Sequence, residues 1–167
     1  MRGFKPLRGY FLQETLLMER IEEFRGDFAF LSNFYPAIFT FNFRLWGSAE
    51  IAYQAAKTRN VEDIEWIRSS KTAAIAKRRG GPKGEDGRSI TVREGWEGIK
   101  VAIMRRIVLA KFLQNPGLRA QLLATGDAVQ IEGNYWGDRE WGVCRGKGKN
   151  MLGILLMEVR DVCVSES

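Results

Sequence analysis

The chain contains no histidine. That removes Ser-His-Asp and Cys-His catalytic arrangements, most catalytic zinc sites and the usual proton shuttle near neutral pH. Cysteine is nearly as scarce. Cys144 and Cys163 are the only two, too few and too far apart for a thiolate metal cage, and they read as reduced thiols of a cytoplasmic protein. No apolar run approaches the ~20 residues of a membrane span. Near the N-terminus, Arg2, Lys5 and Arg8 are followed by Glu14, Glu19 and Arg20, a mixture unlike a signal peptide. No internal repeat and no linker interrupts the chain. Its 167 residues, 45% of them hydrophobic, are enough for one domain with a real core.

What is present is positive charge. Lys and Arg number 26 against 20 Asp and Glu, a net charge of +6. The excess gathers at Lys77-Arg78-Arg79, Lys83, Arg88, Arg105-Arg106 and Arg145-Lys147-Lys149. Such clusters suit a phosphate-bearing ligand or a nucleic acid, and they equally suit a solvated face.

Residues 1–22 read as an extension, with a helix possible over Tyr10–Ile21, followed by a domain over 23–163 and a short tail at 164–167. In the segment Ile38–Leu45, Phe39, Phe41, Phe43 and Leu45 alternate with Ile38, Thr40, Asn42 and Arg44, a period of two that predicts one half-buried strand. Ser48 is placed to cap a helix running to about Thr58. Helices are predicted over Val61–Ser69, Lys71–Arg79 and about Glu94–Gln114, and Pro116 opens another that ends at Ala124. Gly80 to Ser89 reads as an exposed loop, Val129–Glu132 as a short strand, and a final helix follows Asn150 to about Val162. The expected fold is α+β: a helix-rich single domain with a small β-sheet.

Two segments carry possible chemistry. On the helix after Ser48, Glu50, Tyr53, Gln54 and Lys57 stand at i, i+3, i+4 and i+7 and share one face. Facing a pocket, that row offers a general acid/base in Glu50 and, about 10 Å along the axis, an amine in Lys57 that acts as clamp or imine-forming nucleophile. Facing water, it is an ordinary charged stripe. Further on, Tyr135-Trp136-Gly137-Asp138-Arg139-Glu140-Trp141-Gly142 brings two indoles and two carboxylates together, an arrangement suited to gripping a ring or to tucking both tryptophans into the core. Arg145-Gly146-Lys147-Gly148-Lys149-Asn150 then precedes a helix, whose free N–H groups could hold a phosphate. It lacks the order of a Walker loop and the GxGxxG pattern.

Several blocks in order resemble the NADAR family: Phe30-Leu31-Ser32-Asn33-Phe34-Tyr35-Pro36, Ser48-Ala49-Glu50-Ile51-Ala52-Tyr53-Gln54-Ala55-Ala56-Lys57, Arg93-Glu94-Gly95-Trp96 and Lys111-Phe112-Leu113-Gln114-Asn115-Pro116. The likeness continues through Leu123-Ala124-Thr125-Gly126-Asp127, Trp136-Gly137-Asp138 and Gly146-Lys147-Gly148-Lys149-Asn150-Met151-Leu152-Gly153, and spans about Phe24 to Arg160. Many members carry a histidine where this chain has Ile51, and the loop Gly80 to Ser89 is richer in glycine than is usual.

The resemblance implies an N-glycosidase. One branch of the family destroys reactive ribosylamino-pyrimidine phosphates of riboflavin biosynthesis, and another removes ADP-ribose from guanine in DNA. Carried over, it makes Glu50, Lys57 and Asp138 the catalytic candidates. Asn33, Phe34, Tyr53, Gln54, Trp96, Trp136, Lys147, Lys149 and Asn150 become candidate substrate contacts. The implied partner is a small phosphorylated ribosylamine or ADP-ribosylated guanine in nucleic acid, with no metal, no cofactor and no membrane. The chemistry is consistent: breaking an N-glycoside builds positive charge on ribose, which carboxylates stabilise, and the leaving nitrogen needs a proton. Other classes remain: a module that binds ADP-ribose or NAD without cleaving it, and a nucleic-acid binder with salt-sensitive affinity.

Overall fold

The alternating aromatic segment is a hairpin in place of one strand. In the computed structural model, which describes residues 19–166, β2 (Phe39–Phe41) turns back antiparallel onto β3 (Arg44–Trp46), pairing Phe39 with Trp46 and Phe41 with Arg44. Asn42 and Phe43 form the turn at φ 49° and 61°, the positive-φ geometry that a two-residue hairpin needs. The turn inverts the alternation: Phe39, Phe41 and Trp46 are buried, whereas Phe43 is fully exposed.

Among the described residues six α-helices carry most of the remaining fold, and their ends follow from local chemistry. α1 spans Ala49–Ala56 and starts where Ser48 Oγ accepts from Ile51 N at 3.2 Å. α2 (Val61–Arg68) is capped by Asn60, and α3 (Ala73–Arg79) by Thr72. α4 (Trp96–Leu113) is the long helix, and α5 (Pro116–Ala124) has proline in its first turn, where the missing N–H costs nothing. α6 (Met151–Ser165) runs three residues past its expected end. α1 packs against α2, α3 and α4, while α4 in turn packs on α5 and α6.

The strands are short pairs. β1 (Arg20–Ile21) runs parallel to β4 (Val129–Gln130), and β5 (Gly133–Asn134) runs parallel to β6 (Val143–Cys144). Arg20 and Ile21 are therefore sheet residues and not the end of a helix, and Ile21 is buried. The part of that expected helix before Glu19 lies outside the described residues. The strand expected over Val129–Glu132 stops at Gln130.

One core joins these layers, with Phe30, Phe39, Ile67, Ile107, Phe112 and Leu155 in it. From Ala49 to Ala55 every residue of α1 is buried, so neighbours cover the whole helix. Within the core, Lys111 of α4 is fully buried, and its Nζ donates to Phe30 O at 2.7 Å and Ser32 O at 2.9 Å. Burial pulls its pKa down to about 7. That bond pair fixes the loop from Phe30 to Asn33, whose last carbonyl accepts from Glu50 N at 2.9 Å. Among the described residues no helix is long and apolar enough to cross a membrane.

Candidate active site

Glu50 and Gln54 lie one turn apart on α1, and both are buried. Gln54 Nε2 donates to Glu50 Oε1 at 2.7 Å, fixing the carboxylate toward a cavity of about 790 Å³. Asn33 and Phe34 line another wall, Lys77 comes from α3, and Glu132, Trp136, Asp138 and Trp141 come from the loop around β5. Arg25 is the second cation of the lining.

This setting perturbs the acids. Burial raises the Glu50 pKa above its ordinary value, while the Gln54 amide, Lys77 and Lys57 oppose the rise. Glu132 is pushed up to about 7, first by burial and then by Asp138 and Glu50. Among the described residues its Oε2 is buried with no hydrogen-bond partner, as is Asn33 Oδ1. Asn33 Nδ2 donates to Met104 Sδ at 3.3 Å, which orients the amide. Asp138 is held differently: its Oδ1 accepts from Glu140 N at 3.0 Å and Trp141 N at 2.9 Å. Asn134 brackets the same residue, accepting from its N–H and donating to its carbonyl.

Of the residues singled out from sequence, Glu50, Asp138, Asn33, Phe34, Gln54 and Trp136 share this cavity. The others lie elsewhere. Tyr53 is buried between Trp96 and Trp141, with ring centroids 5.3 and 5.4 Å away, and burial raises its phenol pKa. Trp96 is core against Tyr53 and does not line the cavity. Lys57 is the C-cap residue of α1; its Nζ donates to Gly80 O at 3.1 Å, outside the cavity lining. Burial lowers its pKa.

The basic turn before α6 is not part of the cavity lining either. Lys147 and Lys149 are exposed, and Lys149 pairs with Glu140 at 2.8 Å. The anion cradle expected there is filled by the protein itself. The N–H groups of Asn150, Met151 and Leu152 donate to the carbonyls of Gly142, Glu140 and Trp141. The Asn150 side chain bridges Gln130 O and Glu132 N, so it holds the backbone of a cavity acid. Arg78 and Arg79 are likewise spoken for, both donating to Glu85.

Lys77 and Glu132 are the residues that the reading of motifs did not bring forward as site members. Lys77 was visible only as the start of a basic run, and Glu132 only as the end of a short strand and a fallback acid should Glu50 prove dispensable. Among the described residues no group of three His, Cys, Asp or Glu side chains is placed to hold a metal ion.

An aromatic-walled cavity lined by three carboxylates and two cations thus sits on a helix-rich α+β scaffold. Comparison with known proteins identifies the family. Residues 21–163 match the NADAR domain, and the chain belongs to that family. It is 39% identical over 140 residues to the N-glycosidase YbiA of Escherichia coli (strain K12), covering 81% of this chain and 80% of that one. It is 36% identical over 159 residues to the riboflavin biosynthesis protein VVA0006 of Vibrio vulnificus, covering 93% of this chain but 40% of that longer protein. Among solved structures, the NMR structure of E. coli YbiA superposes with a TM-score of 0.76 at 35% identity, over 90% of this chain and 88% of that one.

Proposed function

We propose that this chain hydrolyses the C–N bond of a phosphorylated ribosylamine, and that Glu50, Glu132 and Asp138 perform the chemistry. As a NADAR protein with curated N-glycosidase relatives, it is a hydrolase acting on N-glycosyl bonds. The observation that carries the finer reading is Glu132, a cavity carboxyl whose pKa is raised to about 7. Such a group still holds a proton near neutrality and can deliver it.

In this scheme the Glu132 proton passes to the leaving nitrogen as the C1′–N bond breaks, with the bonding pair going to that nitrogen. Asp138, pinned by two backbone N–H groups, faces the positive charge that develops on the ribosyl carbon. Water then adds at C1′, and Glu50 accepts its proton. Exchange with solvent restores both acids. Phe34, Trp136 and Trp141 offer faces for the leaving ring. Two cations, Arg25 and Lys77, suit a single phosphate. Lys57 takes no direct part, because its amine is tied to Gly80 O.

The family resemblance and the relative named a riboflavin biosynthesis protein favour a free nucleotide-like intermediate as substrate. The test is product analysis by mass spectrometry with one preparation and two substrates: a ribosylamino-pyrimidine phosphate and an oligonucleotide carrying ADP-ribosyl-guanine. Release of ribose phosphate from the first, faster than of ADP-ribose from the second, is expected. Faster release from the oligonucleotide would transfer the assignment to nucleic acid. Binding of either without any release would make the chain a binding module.

A further inference from the structure

The face of α1 opposite the cavity carries a second recess, of about 240 Å³. Ala52, Ala55 and Ala56 form its floor, and the β2–β3 hairpin forms one wall. Three guanidinium groups line it, those of Arg44, Arg59 and Arg93, and no carboxylate does. We propose that this cleft is an anion site that takes a phosphate-bearing ligand, separate from the cavity of Glu50.

The argument rests on what the three arginines already bond. Arg44 Nε donates to Glu65 Oε1 at 3.0 Å, which fixes its guanidinium beside the cleft while leaving other donors free. None of the ion pairs among the described residues includes Arg59 or Arg93. Arg93 Nε is buried and has no hydrogen-bond partner among the described residues. Its backbone N–H is used, donating to Lys57 O at 2.7 Å, so the residue is anchored while its Nε is left without an acceptor. A guanidinium with a buried donor lacking an acceptor is poorly compensated, and an anion in the cleft beside it offsets that positive charge.

The neighbouring polar groups do not compete for these donors. Trp46 Nε1 donates to Phe41 O at 2.9 Å, so the indole is satisfied within its own hairpin. Thr58 Oγ1 accepts from Asn60 N at 3.1 Å and keeps its own hydrogen to donate. Planar guanidinium forks with a hydroxyl donor match the several oxygens of a phosphate better than any neutral ligand. The small volume suits one phosphate with its attached carbon, contributed by a free phosphate ester or by a nucleic-acid backbone.

The test is an NMR titration of the full chain with inorganic phosphate, run against sodium chloride at matched ionic strength. Saturable shifts of the Trp46 indole N–H and of the Arg59 and Arg93 Nε signals are expected with phosphate alone. Arg59→Gln, at an exposed position outside the catalytic cavity, is expected to weaken that binding by about tenfold and to leave turnover unchanged, as for one lost charge-assisted contact. Arg44→Gln serves as the second variant. A short single-stranded oligonucleotide in the same titration distinguishes the sources, since the probe that saturates at lower concentration names the one the cleft takes. Shifts that follow ionic strength alone, that are confined to the Trp136 indole, or that persist unchanged in both variants would overturn the proposal.

Discussion

Replacing Glu132 with glutamine keeps the shape of the side chain and removes the transferable proton. If Glu132 is the general acid, turnover should fall about a hundred- to ten-thousandfold, the usual worth of such a group. The pH profile adds a sharper reading. The Glu132 pKa is raised to about 7, so wild-type turnover should decline above neutrality by about tenfold per pH unit as the proton is lost. Lys111 also titrates at about 7, and a decline caused by Lys111 would persist in Glu132→Gln. The assay is stopped-time release of ribose phosphate between pH 5 and 9, both ranges set roughly by these pKa values. An unchanged alkaline decline in the variant, or activity within about threefold of wild type, would refute the assignment of the proton donor.

Glu50→Gln should abolish turnover while thermal unfolding stays cooperative; near wild-type activity would leave Asp138 as the water-activating base. Gly80→Ala should lower kcat and cost about 1–3 kcal/mol, because an added Cβ meets the Gln54 side chain that fixes Glu50, and denaturant midpoints beside kinetics would show whether both change. Stability should fall as pH rises from 4.5 to about 7, where folded Glu132 keeps a proton that the unfolded chain has lost. It should then recover from about 7 toward 10.5, where the unfolded chain holds a proton that folded Lys111 lacks. Urea unfolding of Glu132→Gln and Lys111→Met should remove the first and the second trend respectively. Borohydride added during turnover should leave Lys57 unlabelled, as its amine bonds Gly80 O, and a sugar adduct on Lys57 found by peptide mass spectrometry would contradict that placement.

The helices were legible because Ser48, Asn60, Thr72 and Pro116 mark their starts and apolar spacing marks their buried faces. The hairpin was not. Its alternation runs unbroken through Asn42-Phe43, and no glycine marks the turn. Glu50 could be found from helix spacing and family resemblance, yet spacing alone could not say that its row is buried. That follows from α2, α3 and α4 packing around α1, a tertiary fact. Lys57 and Lys77 show the same limit. Lys57 continues the row of Glu50 and Tyr53 as the helical C-cap of α1, its amine over the Tyr53 ring, but that amine turns to Gly80 O outside the cavity lining. Lys77 looks like one of three cations closing α3, and only packing separates it from Arg78 and Arg79, which turn to Glu85. Motif chemistry also failed at the basic turn, where free helix N–H groups were expected and loop carbonyls already take them.

α1 explains why one short helix can serve a reactive carboxylate. An eight-residue helix has little stability of its own, so its position must come from what holds its ends and sides. Ser48 caps the first turn, and the Asn33 carbonyl takes the Glu50 N–H. At the far end, the Lys57 carbonyl accepts from Arg93 N and the Lys57 amine donates to Gly80 O. Alanines on the other side form the floor of the second cleft. Lys111 extends the same bracing one layer outward, tying down the loop from Phe30 to Asn33. In the proposed mechanism, these amines away from the cavity would act on the chemistry by fixing where Glu50 stands. A carboxylate proposed to take a proton from water serves that role only if it cannot turn away from the water it is there to activate.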